Sequence, residues 1–143
     1  MITRKTDYAI RCVLHLAESQ KDVVMLDEIA RKREISKSFL AKILQTLVKA
    51  GIVQSTRGKK GGFRLAKRAA DISLLDVVES IEGPVSMNIC AVDKKKCGLH
   101  STCGVHPVWV EIRADVENRL RQMNFAELAA SKKAVLNNKN IAS

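Results

Sequence analysis

Cys90, Cys97 and Cys103 fall in one run, CAVDKKKCGLHSTCGVHPVW, with six residues between the first pair and five between the second. Thiolates are soft, anionic ligands, and three of them in fourteen residues suit an iron–sulfur cluster. The spacing is wider than the CxxC of a zinc ribbon, which argues against a tight zinc knuckle. Lys94, Lys95 and Lys96 put positive charge directly before Cys97 and offset the charge of a cluster. A helix beginning near Pro107 would point its positive end at the same place. Most clusters take four protein ligands, and the loop supplies three. His106, three residues after Cys103, and His100 within the run are donors for the fourth position. The remaining cysteine, Cys12, falls in an apolar stretch and reads as a small buried hydrophobe.

The surroundings limit what such a site serves. At 143 residues and 46% hydrophobic, the chain is about one domain long and can build a core. No apolar run approaches the ~18 residues of a membrane span. Asp7, Arg11 and Glu18 interrupt the apolar N-terminal stretch, so it does not read as a signal peptide. The cytoplasm is therefore the expected compartment, where thiols stay reduced and clustered cysteines serve metal or redox chemistry rather than disulfides. The net charge of +10 is segregated. Residues 1–70 hold 16 Lys and Arg against six acidic residues, and residues 71–143 hold nine of each. A basic half of this kind fits a polyanion such as DNA.

The elements that would position these groups follow from periodicity and caps. Residues 3–20 read as a helix and Leu26 to Lys32 as a short second one. Ser36 is a plausible N-cap for a third helix, in which Leu40, Ile43, Leu44, Leu47 and Val48 form one apolar face and Gly51 ends the element. Ile52–Ser55 and Phe63–Ala66 pair as a hairpin around the basic, glycine-rich loop Arg57-Gly58-Lys59-Lys60-Gly61-Gly62. Helix–turn–helix followed by a basic hairpin is the winged-helix pattern, in which one helix enters the major groove and the wing reaches the backbone or minor groove. Ser73 caps a fourth helix with Asp76 in the capping-box position, and Gly83-Pro84 closes it. Residues 84–104 show no periodicity. From Pro107 to about Met123 a long helix carries Trp109, Ile112, Val116, Leu120 and Met123 at coiled-coil-like spacing, which favours pairing with a second copy. One or two further helical turns follow over Phe125–Ala130.

The fold class is thus mainly α with a small β-hairpin wing. Residues 1–83 are expected to form the DNA-binding domain and 84–104 the cysteine loop. A dimerisation helix and short terminal helix would occupy 105–130, with a flexible tail over 131–143.

The opening TDYAIRCVLHLA and the stretch ISKSFLAKILQTLVKAGIVQSTRGKKGGFRLAK, with its RGxxGGxxL wing, resemble the Rrf-two family of bacterial winged-helix transcription factors. The three-cysteine loop is similar to that of the iron–sulfur branch, which includes the regulator of cluster assembly and the nitric-oxide-sensitive repressor. The resemblance extends from residue 1 to about residue 130. It implies a homodimer with crossing long helices and one cluster per subunit, whose loss alters DNA affinity. By position, Ser36, Ser38, Phe39 and Lys42 begin the recognition helix and Arg57 lies in the wing. His106 matches the histidine ligand of the assembly regulator. Asp7 matches an aspartate that the nitric-oxide-sensitive repressor supplies from the partner subunit. The resemblance does not choose between them. Ala41 departs from the pattern, because the assembly regulator carries there a glutamate that discriminates between DNA motifs, so its operator is not carried over.

The expected function is a regulator, a repressor rather than an activator, that binds double-stranded DNA in dependence on an iron–sulfur cluster of two or four irons. The cluster would be the sensor, of redox state, nitric oxide or iron–sulfur status, and the basic helix and wing would hold the DNA. Lys37, Lys42, Lys59 and Lys60 would contact phosphates. Ser36, Ser38, Phe39 and Gln45 would face base edges, with Gly61 giving the wing its close approach. Neither a membrane nor a small-molecule substrate is expected as a partner. A thiol redox switch or zinc site on the same fold is the alternative, and an iron–sulfur electron carrier is the alternative of another class. No nucleophile–base pair stands out. GKKGG is no P-loop, since its lysines and glycines are in the wrong order, so no enzyme is expected.

Overall fold

A computed structural model describes residues 2–131, so all of the expected tail but its first residue lies outside the described residues. Helix α1 (Arg4–Glu18) starts where extended Thr3 accepts a hydrogen bond from the Thr6 amide, satisfying one donor that the first turn leaves free. α2 (Leu26–Arg33) ends at Glu34, which takes the left-handed conformation at φ 55°. α3 (Lys37–Lys49) follows and buries Leu40, Ile43, Leu44 and Leu47 on its apolar face. Ser36 stands at its N-cap, but its side chain makes no capping bond. Gly51, at φ 73°, ends the helix in a conformation that favours glycine.

Strands β1 (Val53–Thr56) and β2 (Gly62–Leu65) pair antiparallel, with Val53 opposite Leu65 and Thr56 opposite Gly62. The hairpin is thus one residue offset from the sequence expectation at each strand. It does not stand alone, because Val24 and Phe63 exchange two backbone hydrogen bonds of 2.8 Å. Only glycine permits that closeness at position 62: a Cβ there would lie 2.4 Å from the Val24 carbonyl oxygen. The wing is thereby tied to the segment entering α2.

α4 (Leu74–Glu82) begins in the expected capping box, with the Ser73 amide donating to Asp76 at 2.8 Å and the Asp76 amide donating to the Ser73 hydroxyl at 3.1 Å. Its last residue, Glu82, accepts hydrogen bonds from the Thr3 amide at 2.9 Å and from the Thr3 and Thr6 hydroxyls. Those donors favour the carboxylate and lower its pKa to about 2, so the contact persists until pH falls through that value. The N-terminus of α1 is therefore pinned to the end of α4, one residue before the turn leading to the cysteines.

Two short 3-10 turns, Ile89–Ala91 and Lys94–Lys96, interrupt the stretch that showed no periodicity. α5 (His106–Gln122) then begins one residue before Pro107, in the first turn, where a missing N–H costs nothing. Trp109, Ile112, Val116, Leu120 and Met123 are half-buried within the single chain, and α5 runs against α4. After α5 the chain returns to the core. The Leu74 amide donates to the Met123 carbonyl at 2.7 Å and the Phe125 amide to the Ile72 carbonyl at 3.1 Å. Phe125 is 0% exposed and joins the core of α1, α3 and α4 at the start of a last helical stretch, residues 125–131.

Candidate functional site

The basic surface is built by α3 and the wing together. Burial of the α3 apolar face leaves Lys37, Ser38, Lys42 and Gln45 exposed, with Ser36 exposed just ahead of the helix. Arg57, Lys59 and Lys60 are exposed at the wing tip. Gly61 folds that tip tightly: a Cβ there would lie 2.6 Å from the Thr56 carbonyl oxygen. Lys37, Lys59 and Lys60 line one groove of about 750 Å³, so residues more than twenty apart in sequence share a surface. The same groove takes in Lys21, Arg31 and Lys32 from the α2 side, which the reading of the sequence did not single out. The run Arg31-Lys32-Arg33 was the available signal, but its periodicity does not say which of the three faces outward. Arg33 turns inward to Glu18 at 2.8 Å and to His15 Nδ1 at 3.2 Å. Lys37 forms an exposed ion pair with Asp27 at 3.1 Å, a contact weak enough to be exchanged for a phosphate. Phe39 is half-buried, and its ring meets Tyr8 of α1 edge-on at 5.7 Å. Packing of α1 on α3 thus uses much of the ring.

The cysteine loop is arranged along α5. Cys90 lies in the first 3-10 turn and is 6% exposed. Cys97 follows the second turn, and both it and Cys103 are partly exposed. All of these thiols are free. His100 Nδ1 lies 2.8 Å from the Cys97 carbonyl oxygen, and the His106 amide donates to the Cys103 carbonyl at 3.2 Å. The His100 and His106 rings are 6.0 Å apart. Among the described residues, no three His, Cys, Asp or Glu side chains stand close enough to hold a metal ion together.

One feature of the loop nonetheless suits a metal group. His106 is 8% exposed, and its Nδ1 has no hydrogen-bonding partner among the described residues. A buried polar nitrogen without a partner carries an uncompensated desolvation cost, and a metal ligand bond would remove it. Asp7, the other donor in question, is instead held on the flank of α1 by Arg11 at 2.9 Å and Arg4 at 3.8 Å. Cys12 is fully buried, and burial pushes its thiol pKa up to about 12, which disfavours the reactive thiolate.

Residues 2–131 match the Rrf2 (Rrf-two) family profile, described as an iron-dependent transcriptional regulator. The chain belongs to the Rrf2 family. It is 31% identical over 135 residues to the HTH-type transcriptional regulator IscR of Vibrio vulnificus, covering 94% of this chain and 80% of that protein. Among solved structures it is similar to CymR, the global cysteine regulator of B. subtilis, with TM-score 0.76 and 26% identity over 92% of this chain and 97% of that one. It is also similar to T. potens IscR, with TM-score 0.69 and 26% identity over 94% of this chain and 88% of that one. The winged-helix fold and a role in transcription regulation through DNA follow for this Rrf2 protein. No helix among its described residues is long and apolar enough to cross a membrane.

Proposed function

We propose that this Rrf2 protein is an iron–sulfur-cluster-dependent repressor, acting as a cytoplasmic homodimer on double-stranded DNA. The observation that carries the reading is the cysteine loop itself: three free thiols, and in the same loop's junction with α5 a buried histidine nitrogen with no partner among the described residues, attached to a basic winged helix. Cys90, Cys97 and Cys103 would hold the cluster. His106 is favoured over Asp7 as fourth ligand, because Asp7 already has arginine partners and His106 Nδ1 has none. Bound there, the group would supply a centre reactive toward oxidants or nitric oxide. Ligation would tie the loop to the start of α5, so loss of the group would release both. Exposed Met87, Ile89, Val105 and Val108 give the loop and the start of α5 an apolar surface that suits a second copy.

On the DNA side, Lys37, Lys42, Lys59 and Lys60 would neutralise phosphates, Ser36, Ser38 and Gln45 would meet base edges, and Arg57 would enter the minor groove. Lys59→Ala is expected to weaken binding to all sequences alike and to lower the salt slope by about one. A loss confined to one operator in fluorescence anisotropy titrations would contradict the phosphate role.

The cluster is tested by the visible spectrum of anaerobically purified protein, with iron and sulfide quantified on the same sample. A brown protein with matching iron and sulfide is the expected result. A protein that stays colourless and iron-free after anaerobic reconstitution overturns the cluster and moves the chemistry to a thiol switch or zinc. That second reading is favoured by the free thiols of the loop and by the likeness to CymR, the global cysteine regulator of B. subtilis.

A further inference from the structure

We propose that Arg113 is a positioning residue of the cysteine site, clamping the turn that carries Cys90 onto α5. Arg113 Nη1 donates to the Ala91 carbonyl at 2.6 Å, and Ala91 is the residue after Cys90. Its Nε donates to Glu117 Oε1 at 2.8 Å, one helical turn along α5. The guanidinium is half-buried between the two, as is Glu117. A planar fork with donors on separate edges can hold a carboxylate with one and a carbonyl with another, and Glu117 fixes the plane so that Nη1 faces the loop.

The placement gives the clamp its meaning. His106, Arg113 and Glu117 are spaced seven and four residues apart, which puts them on one face of α5. Cys103 and His106 are held at the start of that helix by the chain itself. Cys90 has no such tether, since fifteen residues of loop separate it from His106. Arg113 supplies one, about 10 Å further along the helix axis than His106. The distance between the two ends of the site is thereby set by a rigid helix rather than by a loop. The clamp holds whatever the loop binds; its consequence for a cluster rests on the reading above.

Two measurements on the full-length protein keep those apart. In the reduced, iron-free chain, peptide-resolved alkylation by iodoacetamide reports each thiol separately. Arg113→Met retains the apolar stem and removes the fork. It is expected to speed alkylation of Cys90 by about tenfold, with Cys97 and Cys103 near their wild-type rates and buried Cys12 still protected. A wild-type rate at Cys90, with Cys12 protected, overturns the clamp. If Arg113→Met exposes Cys12, the fold has been lost, and Arg113→Gln, too short to span the gap, is read by the same criterion. In the reconstituted protein, the variant is expected to lose its visible absorbance to a chelator faster than wild type. A wild-type protein that takes up no iron ends the cluster reading and leaves the alkylation result to decide the clamp.

Discussion

Cys97→Ala is expected to leave the anaerobically reconstituted protein colourless and without iron, while its unfolding midpoint and its elution volume match those of wild type. The two halves of that result have separate causes. Cys97 follows a 3-10 turn and is partly exposed, outside the core of α1, α3 and α4, so truncation to Ala creates no cavity and should change stability by no more than about 0.5 kcal/mol. On the proposed ligation its sulfur is nevertheless one of three soft donors, and Cys90, Cys103 and His106 alone would not complete a four-ligand set. Absorbance and iron at wild-type levels in the variant would remove Cys97 from the site. The same spectrum separates the fourth donors: His106→Ala should weaken the group and Asp7→Ala should not.

Phe125→Ala is expected to cost about 3–5 kcal/mol of stability, a large part of the roughly 5–15 kcal/mol that holds a domain folded. The ring is fully buried in the core that α1, α3 and α4 share, although its residue follows the long helix. Backbone pairing beside it, Ser73 with Asn124 and the Phe125 amide with Ile72, prevents the segment from swinging in to fill the space. Urea denaturation followed by far-ultraviolet circular dichroism measures the loss. A cost below about 1 kcal/mol would mean that the return of the chain after α5 is a loose contact rather than part of the core.

Much of this was legible residue by residue. Helical spacing found α3 and its buried face, and the glycines around Lys59 and Lys60 located the wing. Ser73 and Asp76 formed the capping box that their spacing implies. Such signals are local: a cap acts over three residues, and an apolar face repeats every three or four. The cysteine run and the charge segregation are likewise written in the chain itself, and with the family likeness they point to the two kinds of site before any coordinates.

Contacts between distant segments had no such signature. The sequence placed Phe39 among residues facing DNA bases, and only the fold shows that Tyr8 also lies edge-on against its half-buried ring. It read the apolar stripe of α5 as a surface for a second copy, but α4 covers part of it within one chain. Neither the role of Phe125 in the core nor the hold of Glu82 on Thr3 and Thr6 could be read from spacing. Nor could the reach of Arg113 to Ala91 or the gathering of Lys21, Arg31 and Lys32 with the wing lysines. Which elements form, and the chemistry they carry, is set by neighbours within a few residues. Which side chain then faces solvent, a ligand or another helix is decided by how those elements pack, because packing chooses one among several faces that the sequence leaves equally apolar or equally charged.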